Sequence, residues 1–196
     1  MDASFVALET RNSPMHIGSI LIYNPETAPG GFVRFKDILR FMESRMQLSR
    51  TMRQRLVRVP FDLDYPYWIE DPEVDVEYHV RHIALPYPGD WRQLCIQVAR
   101  IHSRPLDRSK PLWEIWLIEG LQGGHFAYMQ KFHHSMMDGE GALKMIEVIC
   151  DIESSPSHKK IIDKSISEAK AGPVPSSQER SSRALKHLAR LPGEAA

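Results

Sequence analysis

The chain has 196 residues, of which 42% are hydrophobic and 26% charged, and its 25 Lys and Arg residues balance 25 Asp and Glu residues. This composition is typical of a soluble globular protein. Zero net charge argues against a general nucleic-acid binder, which needs a basic surplus to neutralise phosphates. The sequence has no run of about 18 apolar residues, and two cysteines are too few for a disulfide framework. We therefore expect a cytoplasmic protein.

Charged and aromatic residues are distributed unevenly along the chain. Residues 1–153 carry a formal charge of −4 and all the aromatic residues, whereas residues 154–196 carry +4 and no aromatic residue. A segment rich in Ser, Pro and Lys that lacks aromatic residues cannot build a core of its own. The pattern predicts an N-terminal domain at 1–153, a flexible linker at 154–182 and, at 183–196, the start of a helix whose leucines recur every third residue.

Hydrophobic periodicity predicts alternating strands and helices in the N-terminal domain. The predicted strands are 16–23, 56–59, 67–70, 79–85, 112–118 and 126–133, and the predicted helices are 33–53, 91–102 and 141–151. A Gly-rich connection of hairpin length joins the last two strands. The sequence therefore predicts an α/β or α+β fold in which helices flank a mixed β-sheet.

Two adjacent histidines end the last predicted strand. If the strand persists to His134, alternation places His133 on the opposite face, so the two residues should have different roles. A histidine at a strand end beside a cleft is suited to act as a general base near neutral pH. Asp138 can cap backbone amides or pair with an arginine, and Gly139 permits the turn. Each feature alone is commonly structural, but the combination is rare by chance.

These residues read HHSMMDG and resemble the HHxxxDG motif of the CoA-dependent acyltransferase superfamily, which includes chloramphenicol acetyltransferase and peptide-synthetase condensation domains. Further segments resemble the bacterial wax ester synthase/diacylglycerol acyltransferase family, and the likeness extends over residues 1–151. These segments are SPMHIG at 13–18, RQRL at 53–56, WIEDP at 68–72, HVR at 79–81, RPLDR at 104–108 and PLWE at 111–114.

The resemblance implies one half of a chloramphenicol-acetyltransferase-like fold and an O-acyltransferase activity. Such an enzyme moves a fatty acyl group from acyl-CoA to diacylglycerol, forming triacylglycerol, or to a long-chain alcohol, forming a wax ester. Acyl-CoA is then a co-substrate, and neither a cofactor, a metal nor a nucleophilic Ser or Cys is needed. The partners implied are these substrates and the C-terminal half of the same protein, with peripheral association at a membrane or lipid droplet.

The resemblance also assigns roles to individual residues. His134 would be the general base, and His133 would help to shape the site. Asp138 would turn away from the substrate and hold the loop through an ion pair with an arginine, while Gly139 leaves room beside the base. A weaker assignment places three consecutive residues along the substrate region: Pro111, Leu112 and Trp113.

Several alternatives remain open at this point. The chain could belong to an acyltransferase with a non-lipid acceptor, or be a non-catalytic module that binds a lipid surface or a partner protein. The arginines at 50, 53, 55 and 58 could contact CoA phosphates, although a solvated helix end explains them more simply. His79 and His82 have the HxxH spacing of zinc ligands, but residues three apart on a strand face opposite ways.

Overall fold

The computed structural model describes residues 4–63, 65–137, 139–151 and 175–188, so residues 154–174 of the predicted linker lie outside the described part. The described helices are α1 (Ser4–Leu8), α2 (Phe35–Met46), α3 (Val76–His79), α4 (Trp91–Ser103), α5 (Gly139–Ile149) and α6 (Ser177–Leu188). The described strands are β1 (His16–Tyr23), β2 (Gln54–Val57), β3 (Tyr67–Glu70), β4 (Val80–Ala84), β5 (Trp113–Glu119) and β6 (Phe126–His133).

Four of these strands form a mixed sheet in the order β1-β6-β5-β4. The strand β6 pairs antiparallel with both β1 and β5, whereas β4 and β5 pair parallel. The parallel pair needs a crossover, and helix α4 supplies it. A separate antiparallel pair consists of β2 and β3. The predicted mixed sheet flanked by helices is confirmed.

Helix α4 has clear local causes at both ends. The carboxylate of Asp90 accepts the amide of Gln93, whose side chain in turn accepts the amide of Asp90, and this capping box starts the helix. Leu94 and Ile101 lie on the inner stripe and are almost completely buried. The helix ends at Ser103, two residues before Pro105, which disfavours helical geometry in the residue that precedes it.

Strands β5 and β6 are buried on both faces because a hydrophobic core lies on each side of the sheet. Ile115 and Tyr128 face the core that includes residues of α2 and α5. Trp116 and Met129 face the second core, which α4 closes with Leu94 and Ile101. The central hairpin therefore has little freedom to move, and whatever follows β6 begins from a rigid position.

Two helix boundaries differ from the sequence prediction by more than two residues. The helix expected at 33–53 ends at Met46, because the amides of Leu48 and Ser49 bond to carbonyls three residues back and tighten the last turn. The helix expected from 183 begins at Ser177, so residues 177–182 of the predicted linker are helical. The hydroxyl of Ser176 accepts the amide of Glu179, whose carboxylate accepts the amide of Ser176. This capping box was present in the sequence but not recognised.

Among the described residues, no helix combines the length and the apolar character needed to cross a bilayer.

Two glycines in turns at one end of the sheet differ in how closely other residues pack around them. Gly89 and Gly31 have nearly the same positive φ, 70° and 72°. A methyl group at Gly89 would overlap the carbonyl of Gly120, whereas one at Gly31 would meet nothing within 4 Å. We expect Gly31→Ala to lower the free energy of unfolding by about 1–2 kcal/mol through backbone strain. Gly89→Ala should lower it by a further ~1–3 kcal/mol through overpacking. Urea denaturation measures both, and equal losses would contradict the packing of the two turns.

Candidate active site

The two histidines of the HHxxxDG motif lie where β6 ends between β1 and the start of β5. The strand stops at His133, and His134–Met136 forms a 3-10 turn. The amide of His133 donates to the Leu112 carbonyl at 2.9 Å, and the amide of His134 donates to the Met15 carbonyl at 2.8 Å. The strand therefore ends one residue before His134, so the condition under which alternation would place the two histidines on opposite faces of the sheet is not met.

The side chain of His133 is buried, with Ser135 at one ring nitrogen and the carboxylate of Glu9 near the other. The residue is 1% exposed, and its Nδ1 accepts the amide of Ser135 at 3.1 Å and lies 2.7 Å from the Ser135 hydroxyl. Its Nε2 lies 3.5 Å from the carboxylate of Glu9. Because Nδ1 accepts an N–H, the proton of the neutral ring resides on Nε2 and faces Glu9. Burial lowers the pKa of His133, an effect that the Glu9 charge opposes.

A buried carboxylate, Glu9, connects His133 to two other parts of the chain. Its side chain is 6% exposed, and its Oε2 accepts Nε and Nη2 of Arg108 at 3.0 and 2.6 Å. Its Oε1 lies 3.4 Å from Nε2 of His16 on β1. Burial alone would raise the pKa of Glu9, but the Arg108 hydrogen bond and the charges of His133 and Arg108 together hold it below its ordinary value. Sequence reasoning did not single out Glu9, because Arg108 is 99 residues away along the chain.

A buried lysine lies next to this group on the α4 side of the sheet. The ammonium of Lys131 donates to the carbonyls of Ile101 and Arg104 at 3.0 and 2.7 Å and thereby caps the C-terminus of α4. It also lies 3.6 Å from the carboxylate of Glu114. Burial lowers the pKa of Lys131, and Glu114 opposes that shift. Lys131 therefore fixes the end of α4 against β6. It does so at a position on the strand two residues before His133.

The ring of His134 is placed differently from that of His133. It is only partly buried and stacks on Phe5 of α1, with the ring centroids 4.2 Å apart and the planes inclined by 14°. Its Nδ1 is buried and has no hydrogen-bond partner among the described residues. One face of the imidazole is thus covered by an aromatic ring, and no described carboxylate pairs with it. The sequence analysis did not identify Phe5.

The other residues that the sequence analysis assigned to the site differ in where they lie. Asp138 lies outside the described residues, so its role in an ion pair stays a prediction, and Gly139 is the first residue of α5. Pro111 and Leu112 are buried, as is Trp113, whose indole N–H donates to the Met52 carbonyl at 2.8 Å. These three residues form part of the core, and a role in lining the substrate region stays a prediction.

The other two sequence patterns have structural partners. His79 Nδ1 lies 2.7 Å from the Trp113 carbonyl, and His82 Nε2 lies 2.9 Å from the Glu119 carboxylate, so the HxxH pair does not share a ligand. No three His, Cys, Asp or Glu side chains converge as metal ligands in the described ranges.

The arginine run is also partly neutralised. Arg53 lies 2.9 Å from the carboxylate of Glu70, and Arg55 lies 3.7 Å from that of Asp71. Both acidic partners belong to the β3 strand or the residue after it. These ion pairs favour the structural interpretation of the run over phosphate binding.

Three histidines with lowered pKa values make the stability of the fold dependent on pH. Burial holds the pKa of His133 and of His16 below the ordinary value of 6.5, and it does the same for His79 in the core. The unfolded chain therefore binds these protons at a higher pH than the folded chain. Their contribution to stability is complete above about pH 6.5 and is lost as the pH falls through the lowered pKa values.

We accordingly expect the urea midpoint to decrease between pH 7 and about pH 5. His133→Gln should remove part of this decrease, because glutamine does not titrate. His125, which is only partly buried on a turn between β5 and β6, provides the matched control, and His125→Gln should leave the pH profile unchanged. An identical pH dependence in the wild type and in His133→Gln would contradict the burial of a neutral His133.

Comparison with known proteins places this geometry in a family. The family model of the wax ester synthase/diacylglycerol acyltransferase catalytic domain matches residues 1–196. The O-acyltransferase WSD of Acinetobacter baylyi is 39% identical over 150 residues, which are 75% of this chain and 31% of that protein. The structure of the wax ester synthase/diacylglycerol acyltransferase from Marinobacter aquaeolei VT8 matches with a TM-score of 0.61 and 38% identity, over 72% of this chain and 35% of that one.

A more distant match shows the fold alone. The starter condensation domain of rhizomide synthetase, solved in complex with C8-CoA, matches with a TM-score of 0.58 and 14% identity, over 74% of this chain and 32% of that one. The chain thus spans about a third of the length of each of these three proteins. On the family match and the 39% identity, the chain belongs to the wax ester synthase/diacylglycerol acyltransferase catalytic domain family.

Proposed function

We propose that this chain supplies the histidine-bearing part of an O-acyltransferase that moves a fatty acyl group from acyl-CoA to diacylglycerol or a long-chain alcohol. The observation that carries the proposal is the different environment of the two motif histidines. His133 is 1% exposed and enclosed by Ser135 and Glu9, whereas His134 is partly exposed and has no carboxylate partner among the described residues. The partial exposure of His134 supports it as the residue that exchanges a proton with a substrate.

In the proposed reaction, His134 removes the proton from the acceptor hydroxyl as its oxygen attacks the thioester carbonyl of acyl-CoA. The tetrahedral intermediate collapses, the C–S bond breaks, and the departing thiolate takes the proton back from the imidazolium. The products are the ester and free CoA. Direct transfer of this kind needs no enzyme-bound acyl intermediate, so no serine or cysteine nucleophile is required.

The neighbouring residues support this step by holding the base. Phe5 covers one face of the His134 ring and restricts its rotation, and the backbone bond from His134 to Met15 anchors the turn. The ion pair of the buried Glu9 with the partly exposed Arg108 fixes His133, which is joined directly to the base. A base that is held in place loses less entropy when the transition state forms.

Two properties of the reaction partners follow from the same proposal. The names of the relatives favour a lipid acceptor over a non-lipid one, and a catalytic role over a purely binding one. A CoA thioester as donor is supported by the C8-CoA complex of the distant structural neighbour. Because both substrates have long apolar chains, we include peripheral association with a membrane or lipid droplet in the proposal.

A C-terminal half is the second proposed partner. The strand β1 lies at the edge of the sheet, so one row of its backbone groups is not paired within that sheet. Its residues Ile20, Leu21, Ile22 and Tyr23 are all at least a third exposed, which is unusual for consecutive apolar residues. Because these relatives are more than twice as long as this chain, we propose that their additional residues provide the structure that covers this edge.

Replacement of His134 tests the role of the base. In the full-length protein, His134→Ala should lower the rate of ester formation from palmitoyl-CoA and hexadecanol or diacylglycerol by about 10²–10⁴-fold, because general-base assistance is lost. His125→Ala is the matched control, since His125 is a partly buried histidine on the turn between β5 and β6, and should retain the wild-type rate. An unchanged rate in His134→Ala would exclude His134 as the base.

The need for a C-terminal half is tested separately. The 196-residue chain alone should form ester at a small fraction of the full-length rate in the same assay, because its apolar edge is uncovered and the second part of the site is missing. Light scattering should show that this chain self-associates more than the full-length protein does. Full turnover by the isolated chain would refute the requirement for a second half.

A further inference from the structure

Helix α4 exposes an aromatic and basic surface that the proposed reaction does not use. Tyr87, in the turn before the helix, is 97% exposed, and Trp91, the first helical residue, is 67% exposed. Ile96 is exposed further along the helix, and Arg92 and Arg100 are exposed beside it. Large aromatic side chains are seldom left so open to water, and clusters of them mark interaction surfaces. We call these five residues the α4 patch.

The α4 patch cannot turn inward, because the other side of the helix is already occupied. Leu94 and Ile101 are almost completely buried in the core that α4 forms with the sheet. The preceding turn is also fixed, since the amide of Gln122 donates to the Gly89 carbonyl and the capping box of Asp90 holds the first helical turn. The exposed aromatic residues are therefore a constant feature of the folded surface and not the result of a loose loop.

The charged residues of the α4 patch are both positive. Helix α4 contains Arg92 and Arg100 and is followed by Arg104, and it contains no Asp or Glu. Arg92 and Arg100 form no ion pair with any residue that the structure describes. The nearest acidic residue in the sequence, Asp90, uses its carboxylate to cap the helix. The patch therefore presents positive charge that is not neutralised within the described part of the chain.

We propose that the α4 patch binds the surface of an anionic phospholipid membrane. Trp and Tyr rings are preferred at the level of the lipid headgroups, where the ring is apolar and its N–H or O–H remains in contact with water. Arg92, Ile96 and Arg100 are spaced four residues apart on the outer face of α4, and arginines on an exposed helix face attract anionic headgroups, as in interfacial amphipathic helices. The inference rests on the proposed association with a lipid surface and names the residues that provide it.

The position of the patch leaves the histidines accessible. The C-terminus of α4 lies beside the active site, where Lys131 caps it, and Trp91 lies at the opposite end of the helix. A helix of this length separates its ends by about 18 Å. Arg100 is near the C-terminal end, but insertion of Tyr87 and Trp91 at the other end would hold the protein at the lipid surface without covering His134.

Vesicle flotation tests the proposal with the full-length protein. Vesicles of phosphatidylcholine with phosphatidylglycerol should bind the wild type, and vesicles of phosphatidylcholine alone should bind it much less. Trp91→Ser should weaken binding by about 10-fold or more through loss of buried apolar area. The double variant Arg92→Gln/Arg100→Gln should weaken it by about 5-fold per arginine and reduce its salt dependence.

Phe61→Ser is the matched control, because Phe61 is an equally exposed aromatic residue, 93% exposed, that lies outside α4. It should bind vesicles as the wild type does. Wild-type binding by Trp91→Ser, an equal loss in Phe61→Ser, or equal binding to neutral vesicles would each overturn the proposal. So would a patch variant that changes only the oligomeric state, since the patch would then be a protein interface.

The proposed acyl transfer is measured independently, with palmitoyl-CoA and a dispersed short-chain alcohol in the absence of vesicles. The patch variants should keep the wild-type rate in this assay. A wild-type protein that binds anionic vesicles but transfers no acyl group would refute the proposed function and leave the membrane surface supported.

Discussion

The geometry of the candidate site depends on the contacts of the Glu9 carboxylate with Arg108, His133 and His16. This carboxylate joins the segment before β1, the loop that carries Arg108 and the end of β6 through His133. A buried carboxylate is costly unless it is paired, so the structure is stable only when these three segments meet. The short helix α1, which precedes Glu9 directly, is thereby held against the end of β6, and Phe5 comes to lie over His134.

This constraint separates the functions of two neighbouring residues of the same type. His133 belongs to the sheet and is enclosed by Ser135, Glu9 and the ring of His16, which makes it a structural element. His134 leaves the strand, stacks on Phe5 and remains partly open. A general base must be both held in place and accessible, and the break of the strand between the two histidines allows both conditions at adjacent positions.

The sheet also keeps three surfaces of the protein apart. The histidines, Glu9 and Lys131 lie at the end of β6 where α4 terminates, whereas Tyr87 and Trp91 lie where α4 begins. The edge strand β1 presents a third surface, which is apolar and uncharged. One rigid scaffold thus keeps the proposed chemistry, the proposed lipid contact and the proposed contact with a C-terminal half apart. Each can then be altered by substitution without direct effect on the others.

Local patterns in the sequence determined much of this fold. The strands at 16–23, 67–70 and 126–133 have the predicted boundaries, because a run of β-branched or aromatic residues between turn residues is a property of a few consecutive positions. The HHxxxDG pattern likewise pointed to the pair of histidines and to the family. Even the helix that begins at Ser177 had a local signal, the capping box of Ser176 and Glu179, although the sequence analysis overlooked it.

Only the tertiary structure decided which histidine is buried and what holds the other one. Glu9 and Arg108 meet across 99 residues of chain, and Phe5 reaches His134 only because β1 pairs with β6. Contacts of this kind have no periodicity and no characteristic spacing, since they depend on how separate elements pack together. The sequence alone therefore determined the elements and the motif, whereas the packing of remote side chains determined the environment of His134, because burial and ion pairing arise only when distant segments are brought into contact.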